Sequence, residues 1–288
     1  LNKTIGLLKL VHIHPLLWII LALAIATARF VDVCLLLLII FIHEMGHAAA
    51  ASFFSWRIKK ITLLPFGGVA EMDEHGNRPL KEEAIVVLAG PMQHIWMMAA
   101  AYGLFAIQLF PEDLFQLFID YNLMILVFNL FPIWPLDGGK LVFLALSLKQ
   151  SFPEAHRQAL VISFVSLLIF SGLVLLNAPT HLNVWVVIAF LLFSLHYEWK
   201  QRRFIFMRFL LERYYGKKSK PSALKPILAN EQDLLIDVLE KFQRGCKHPI
   251  IIQAGDREKH TLDENELLHA YFTEKRLTDK ISDLLFLY

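Results

Sequence analysis

The sequence predicts an α-helical polytopic membrane protein: about six transmembrane helices, one of them broken, a membrane-associated β-hairpin, and a small C-terminal cytosolic α/β domain. Three observations predict it. Of the 288 residues, 56% are hydrophobic and only 19% are charged, whereas a soluble domain is usually about 45–50% apolar and about a quarter charged. The charge is also unevenly placed. Residues 1–198 carry 11 Lys/Arg and 13 Asp/Glu, and residues 199–288 carry 17 and 13. Its density therefore rises near Glu198, from about an eighth of residues to about a third, as expected between a lipid-embedded part and a soluble one. Third, the apolar runs reach the roughly 20 residues that a helix needs to cross a bilayer. A wholly soluble or a disordered chain is excluded. The net charge of +2 argues against nucleic acid as a partner. Cys34 and Cys246 are too few and too far apart for a disulfide framework or a cysteine-based zinc knuckle.

In order along the chain, His14–Ala28 forms the first span and ends at Arg29. A second apolar run follows at once, so this segment reads as a retained span and not a cleaved signal peptide. Val33–Trp56 is the second span, Ala84–Phe110 the third, and Phe115–Leu148 a fourth that Pro132, Pro135, Gly138 and Gly139 must interrupt. Ala159–Leu176 and Leu182–Tyr197 complete six, with Trp199 and Lys200 as interface anchors. Cationic residues fall on one side: Lys3 and Lys9, then Arg57, Lys59, Lys60, Arg78 and Lys81, then Lys149 and Arg157, then the tail. The other side holds Arg29 beside Asp32, then Glu112 and Asp113. The positive-inside rule therefore places both termini in the cytosol.

Between spans two and three, Ile61-Thr62-Leu63-Leu64, then Pro65-Phe66-Gly67-Gly68, then Val69-Ala70-Glu71-Met72 reads as strand, turn, strand. It is either a connecting hairpin or an edge on which an extended peptide adds as a strand.

Ionisable groups inside a span mark function by default. The second span holds His43-Glu44-Met45-Gly46-His47. Residues i and i+4 share a helix face, so the two imidazoles converge. This is the H-E-x-x-H arrangement that binds zinc, with Glu44 placed to take the proton of an attacking water. His43 lies about ten residues into the span, roughly 15 Å at helical rise. Gly46 leaves room for a neighbouring helix or a substrate backbone. A third ligand is available in Asn129-Leu130-Phe131-Pro132-Ile133-Trp134-Pro135-Leu136-Asp137-Gly138-Gly139, where Asp137 sits at the break in the fourth span. Asp137 could alternatively cap the stretch that follows it. Asn129 has an amide for substrate backbone or for helix packing. His94 reads as a packing histidine, and His12, His14, His181 and His196 as residues of span ends.

HEMGH in an early span and NLFPIWPLDGG in a later one closely resemble the site-2 proteases, a family of intramembrane zinc metalloproteases. HEMGHAAAASFFSWRIKKITLLPFGG, EHGNRPLKEE, AGPMQHIW, RFLLERYYGK and RGCKHPIII narrow the likeness to its sporulation members in bacilli. The resemblance covers essentially the whole chain. It implies His43, His47 and Asp137 as zinc ligands and Glu44 as catalytic base. It implies cleavage of the pro-sequence of the sigma factor precursor pro-sigma-K at the outer forespore membrane, with both termini in the mother-cell cytosol. It also implies inhibition by bypass-of-forespore protein A and sporulation protein IVFA. Substrate contacts are expected at Asn129, Pro135, Phe66, Gly67 and Gly68.

After the spans, residues 200–220 hold eight basic residues against the single acid Glu212, interleaved with aromatic and aliphatic ones. This reads as a basic amphipathic linker, lying along anionic headgroups or simply joining the domains. Residues 221–288 alternate helical (Asp233–Gln243, Asp263–Phe272) and strand-like (His248–Ile252) stretches. They resemble a single CBS domain. That likeness implies ATP as a ligand, with Asp263 and Glu266 at the ribose-contacting positions, and pairing of two chains into a homo-oligomer. A rival reading of the whole molecule is a membrane metal transporter using the same His/His/Asp site.

Overall fold

The computed structural model describes residues 10–64, 67–72, 78–215, 223–254, 258–276 and 278–285. The chain divides into two compact units, one of Leu1–Glu74, Lys81–Leu141 and Ser163–Phe193, the other of His75–Leu80, Val142–Ile162 and Ser194–Tyr288.

The first unit is helical with one small sheet. β1 (Val11–Ile13) leads into α1 (Pro15–Ala26), where Pro15 takes the first helical position, whose N–H needs no partner. α2 (Phe30–Phe53) carries HEMGH in its second half. β2 (Ile58–Leu64) and β3 (Gly67–Met72) pair antiparallel, with Leu64 opposite Gly67 and Leu63 opposite Gly68. β1 lies parallel to β2 on the other side, giving the order β1-β2-β3. Two features of the hairpin differ from the sequence reading. β1 is a third strand, too short to show alternation. Gly67 and Gly68 belong to a strand and not to the reversal, because they pair with Leu64 and Leu63 of β2. Pro65 and Phe66 lie outside the described residues.

α3 (Leu80–Ala106) follows, then α4 (Glu112–Asn129) and α5 (Asp137–Ser147). Residues 130–136 between these two are not helical, the break that Pro132 and Pro135 demand. α6 (Phe152–Asn177) and α7 (Leu182–Tyr215) complete the helices of the apolar part. Among the described residues, four helices are long and apolar enough to cross a membrane: α2, α3, α6 and α7. α1 is apolar but has only 12 residues, and α4 has 18 but carries Glu112, Asp113 and Asp120, so by this measure four of the six sequence segments reach it. Core packing is aromatic: Phe105 stacks on Phe115 with centroids 4.4 Å apart, beside Ile39, Met97 and Phe118.

α7 runs without a break through Trp199 and Lys200 to Tyr215. No Gly or Pro occurs within it, so nothing stops the helix where charge density changes. The basic stretch up to Tyr215 is therefore the end of this helix, and residues 216–220 lie outside the described residues.

In the second unit, β4 (Ala223–Leu224) pairs with β6 (Cys246–Lys247). β5 (Ile227–Asn230), β7 (Ile250–Ala254) and β8 (Glu258–Leu262) form a sheet in the order β5-β7-β8. Three short helices accompany them: α8 (Leu235–Leu239), α9 (Glu264–Phe272) and α10 (Ser282–Leu285). Arg213 of α7 is bonded bidentately to Glu264 and donates to the carbonyls of Gln243 and Cys246. Glu264 also accepts the His248 N–H. Both buried charges are thus compensated, which is the condition for burying an ion pair.

Candidate metal centre

His43 and His47 leave one face of α2 a single turn apart, and their Nε2 atoms lie 3.1 Å from each other. Asp137 brings Oδ2 to 3.1 Å from His43 Nε2 and 3.2 Å from His47 Nε2. All three residues are buried. Its other oxygen, Oδ1, accepts from Lys140 Nζ at 3.2 Å.

The sequence explains why Asp137 arrives there. The prolines end α4 at Asn129, and the irregular stretch delivers Asp137 as the first residue of α5, where the helix dipole favours a carboxylate. Trp134 N–H donates to Ser163 Oγ at 3.0 Å and fastens the stretch to α6. Gly138 and Gly139 lie beneath it. A Cβ on Gly139 would stand 2.6 Å from Trp134 N, and one on Gly138 would meet the Leu130 and Phe131 carbonyls.

α3 supplies a bare backbone opposite the ligands. A Cβ on Gly90 would lie 2.8 Å from His43 Nε2 and against the ring of His47. Gly46 answers from α2, where a Cβ would stand 2.6 Å from Ala89 O. Pro91, inside α3, removes a donor from the ladder at this level. In the turn before it, the Val86 carbonyl accepts from His47 Nδ1 at 2.8 Å.

These residues fit a zinc ion. His47 spends its N–H on Val86, so Nε2 presents a lone pair. His43 has its Nδ1 3.0 Å from His94 Nε2. The facing Asp137 Oδ2 is buried and has no hydrogen-bond donor. Three buried acceptors within 4.8 Å of one another repel unless a cation sits among them. Two imidazole nitrogens and one carboxylate oxygen, leaving one position open, are the donor set of a catalytic zinc site.

Glu44 is buried in the next position of α2. A Cβ on Gly68 would lie 2.7 Å from its Cδ and 2.8 Å from its Oε1. The backbone of β3 thus lies directly against the Glu44 carboxyl group, and β3 is an edge of its sheet among the described residues.

The structure therefore brings His43, His47 and Asp137 together and sets Gly68 against Glu44. Asn129 ends α4 with its Nδ2 donating to Ile125 O at 3.0 Å, and Pro135 follows a cis peptide bond in the irregular stretch. Gly67 lies on β3, and Phe66 is outside the described residues. Asp263 and Glu266 make a capping box at the start of α9: Asp263 accepts from Asn265 N–H, and Glu266 accepts from Asp263 N–H at 2.9 Å. Asp263 also pairs with Lys247, an ammonium that this bond holds above its usual range. Both carboxylates are thus engaged in starting a helix, and the structure lends no support to ATP there.

His94 is not a simple packing histidine. It is wholly buried and bonded to His43 on one side and to Asn122 on the other. A polar residue within a span was the available signal, but His94 and Asn122 stand on separate helices with no spacing that relates them.

Residues 32–110 and 106–172 match peptidase family M50. Over all 288 residues the chain is 49% identical to Stage IV sporulation protein FB of Bacillus subtilis (strain 168), covering 100% of both chains. The chain belongs to peptidase family M50. A zinc metalloprotease of Methanocaldococcus jannaschii is 32% identical over 148 residues, 50% of this chain and 43% of that one. Among solved structures, the site-2 protease from Methanocaldococcus jannaschii matches with a TM-score of 0.52 and 29% identity, over 65% of this chain and 89% of that chain. This M50 member is an integral membrane protein and a zinc metalloprotease.

Proposed function

We propose that this M50 protease is an intramembrane endopeptidase that removes the pro-sequence of the membrane-associated sigma factor precursor pro-sigma-K during sporulation. His43, His47 and Asp137 hold the zinc and Glu44 is the general base. The observation that carries the reading is the buried, donor-free meeting of two imidazole nitrogens with Asp137 Oδ2, in the same helix turn as Glu44.

When bound, zinc lowers the pKa of water toward about 7 and polarises the scissile carbonyl. Glu44 takes the proton of the attacking water and returns it to the leaving amine. Lys140 holds the second oxygen of Asp137, so the carboxylate offers only Oδ2 to the metal. The edge of β3 carries backbone groups for an extended peptide, and Gly68 admits that peptide beside Glu44. Asn129 and Pro135, at the break between α4 and α5, are the other residues that receive the substrate.

The setting follows from the same reading. The protein lies in the outer forespore membrane with both termini in the mother-cell cytosol, as the distribution of Lys/Arg supports. Bypass-of-forespore protein A and sporulation protein IVFA restrain it. Co-expression with pro-sigma-K tests the proposal: a shortened product should appear, and should vanish when zinc is withdrawn with a chelator. An unprocessed precursor beside abundant, folded protease would refute the substrate. Unchanged processing in both the Asn129→Ala and Gly68→Ala chains would remove the substrate-contact residues from it.

For residues 221–288, the order β5, α8, β6, β7, β8, α9 supports a single CBS-like module, and we infer that it pairs with a second copy. Leu224 and Leu228 are 66% and 60% exposed there, apolar side chains available to a second copy. On blue-native gels the full chain should run as a dimer or larger, and Leu228→Glu should run as a monomer. A monomeric full chain would count against the pairing.

A further inference from the structure

Two fully buried polar side chains play no part in the chemistry above: His94 on α3 and Asn122 on α4. An imidazole and an amide at this depth are costly to bury unless each polar atom is matched. We propose that they form a relay that fixes His43 in the tautomer presenting the Nε2 lone pair to the metal. They are positioning residues of the zinc site. This rests on the reading of His43 as a ligand.

The relay begins at a backbone carbonyl. Asn122 Nδ2 donates to Phe118 O at 2.8 Å. A flipped amide would set two carbonyl oxygens at that distance, so the orientation is fixed. Asn122 Oδ1 then faces His94 Nδ1 at 3.0 Å. Oδ1 can only accept, so His94 carries its proton on Nδ1. A neutral imidazole has one N–H, which leaves His94 Nε2 with a lone pair. That lone pair faces His43 Nδ1 at 3.0 Å, so His43 donates from Nδ1. Its Nε2 is left unprotonated, 3.1 Å from both Asp137 Oδ2 and His47 Nε2.

Each link leaves one tautomer for the next. His47 reaches the same state through the Val86 carbonyl, a backbone partner that no side-chain substitution removes. The His43 side depends on side chains, so it can be broken and restored.

Losing such an outer partner costs about 10–100-fold in metal affinity. A purely structural role predicts a lower melting temperature of the metal-free protein with unchanged affinity for zinc. The test uses the full chain in detergent micelles, with zinc affinity measured by chelator competition and Co²⁺ absorption reporting the ligand field. Asn122→Leu and His94→Phe should weaken zinc binding by about 10–100-fold and shift the Co²⁺ bands. Asn122→Asp, as the neutral acid that this buried site favours, keeps an acceptor toward His94 and an O–H donor toward Phe118 O. His94→Gln keeps an acceptor toward His43, so both should bind close to the unchanged chain. Equal affinities for Asn122→Leu and Asn122→Asp would overturn the relay. That near-isosteric pair decides the matter even if His94→Phe does not fold. His43→Ala is the separate control: if it keeps full zinc affinity, the ligand assignment fails, whatever the relay variants do.

Discussion

Replacing Glu44 with Gln should lower cleavage by about 10²–10⁴-fold, the usual worth of a positioned general base, while bound zinc stays at one per chain. The substitution keeps shape and volume, so the close fit against Gly68 survives. It removes only the ability to accept a proton. The three atoms that converge on the metal position belong to His43, His47 and Asp137, and none of them moves. Peptide turnover and zinc content of the purified variant check both halves. Turnover within a few-fold of the unchanged chain would assign the base to another group. The variant also separates the protease from a metal transporter built on the same three ligands. Transit of an ion needs no base at position 44, so Glu44→Gln vesicles that transport zinc at full rate yet fail to cleave peptide would reveal a second activity.

The parts of this molecule legible in sequence are those written in one short stretch. H-E-x-x-H announces itself because helical spacing puts His43 and His47 on one face, and because ionisable residues stand out in an apolar run. Asp137 is legible because Pro132 and Pro135 mark a break and a carboxylate ends it. Other features depend on contacts between distant segments, which spacing does not encode. Gly68 reads as a turn glycine from its neighbours, and only the approach of α2 shows that it makes room for Glu44. His94 reads as packing because its partners, His43 and Asn122, are 51 and 28 residues away. Asp263 and Glu266 show the ambiguity of spacing: theirs suits a family pattern, but it is also that of a capping box, which both side chains form. The charge step at Glu198 does not mark a break in structure, since α7 continues across it.

Gly90→Ala should deprive the enzyme of zinc, against what helix propensity alone predicts. Within a helix, Ala is favoured over Gly by about 0.5–1 kcal/mol, so α3 considered by itself gains stability from the change. The added methyl has nowhere to go. It would meet the His47 ring and come within 2.8 Å of His43 Nε2, on the side where both lone pairs point. Neither ring can swing aside without loss, because Nδ1 of His47 is bonded to Val86 O and Nδ1 of His43 to His94. Retreat of α3 is opposed as well, since Gly46 on α2 already packs against Ala89. A displacement of about 1 Å at reacting groups can cost about 10²-fold in rate, so cleavage should fall at least that far. Gly103→Ala and Gly172→Ala supply the contrast. Both glycines are helical and a Cβ there meets nothing within 4 Å, so those variants should keep zinc and activity while sharing any gain in helix stability. Metal analysis with melting curves of the three variants separates the effects: a Gly90→Ala chain that holds zinc as tightly as Gly103→Ala would mean that α3 does not form the wall of this site.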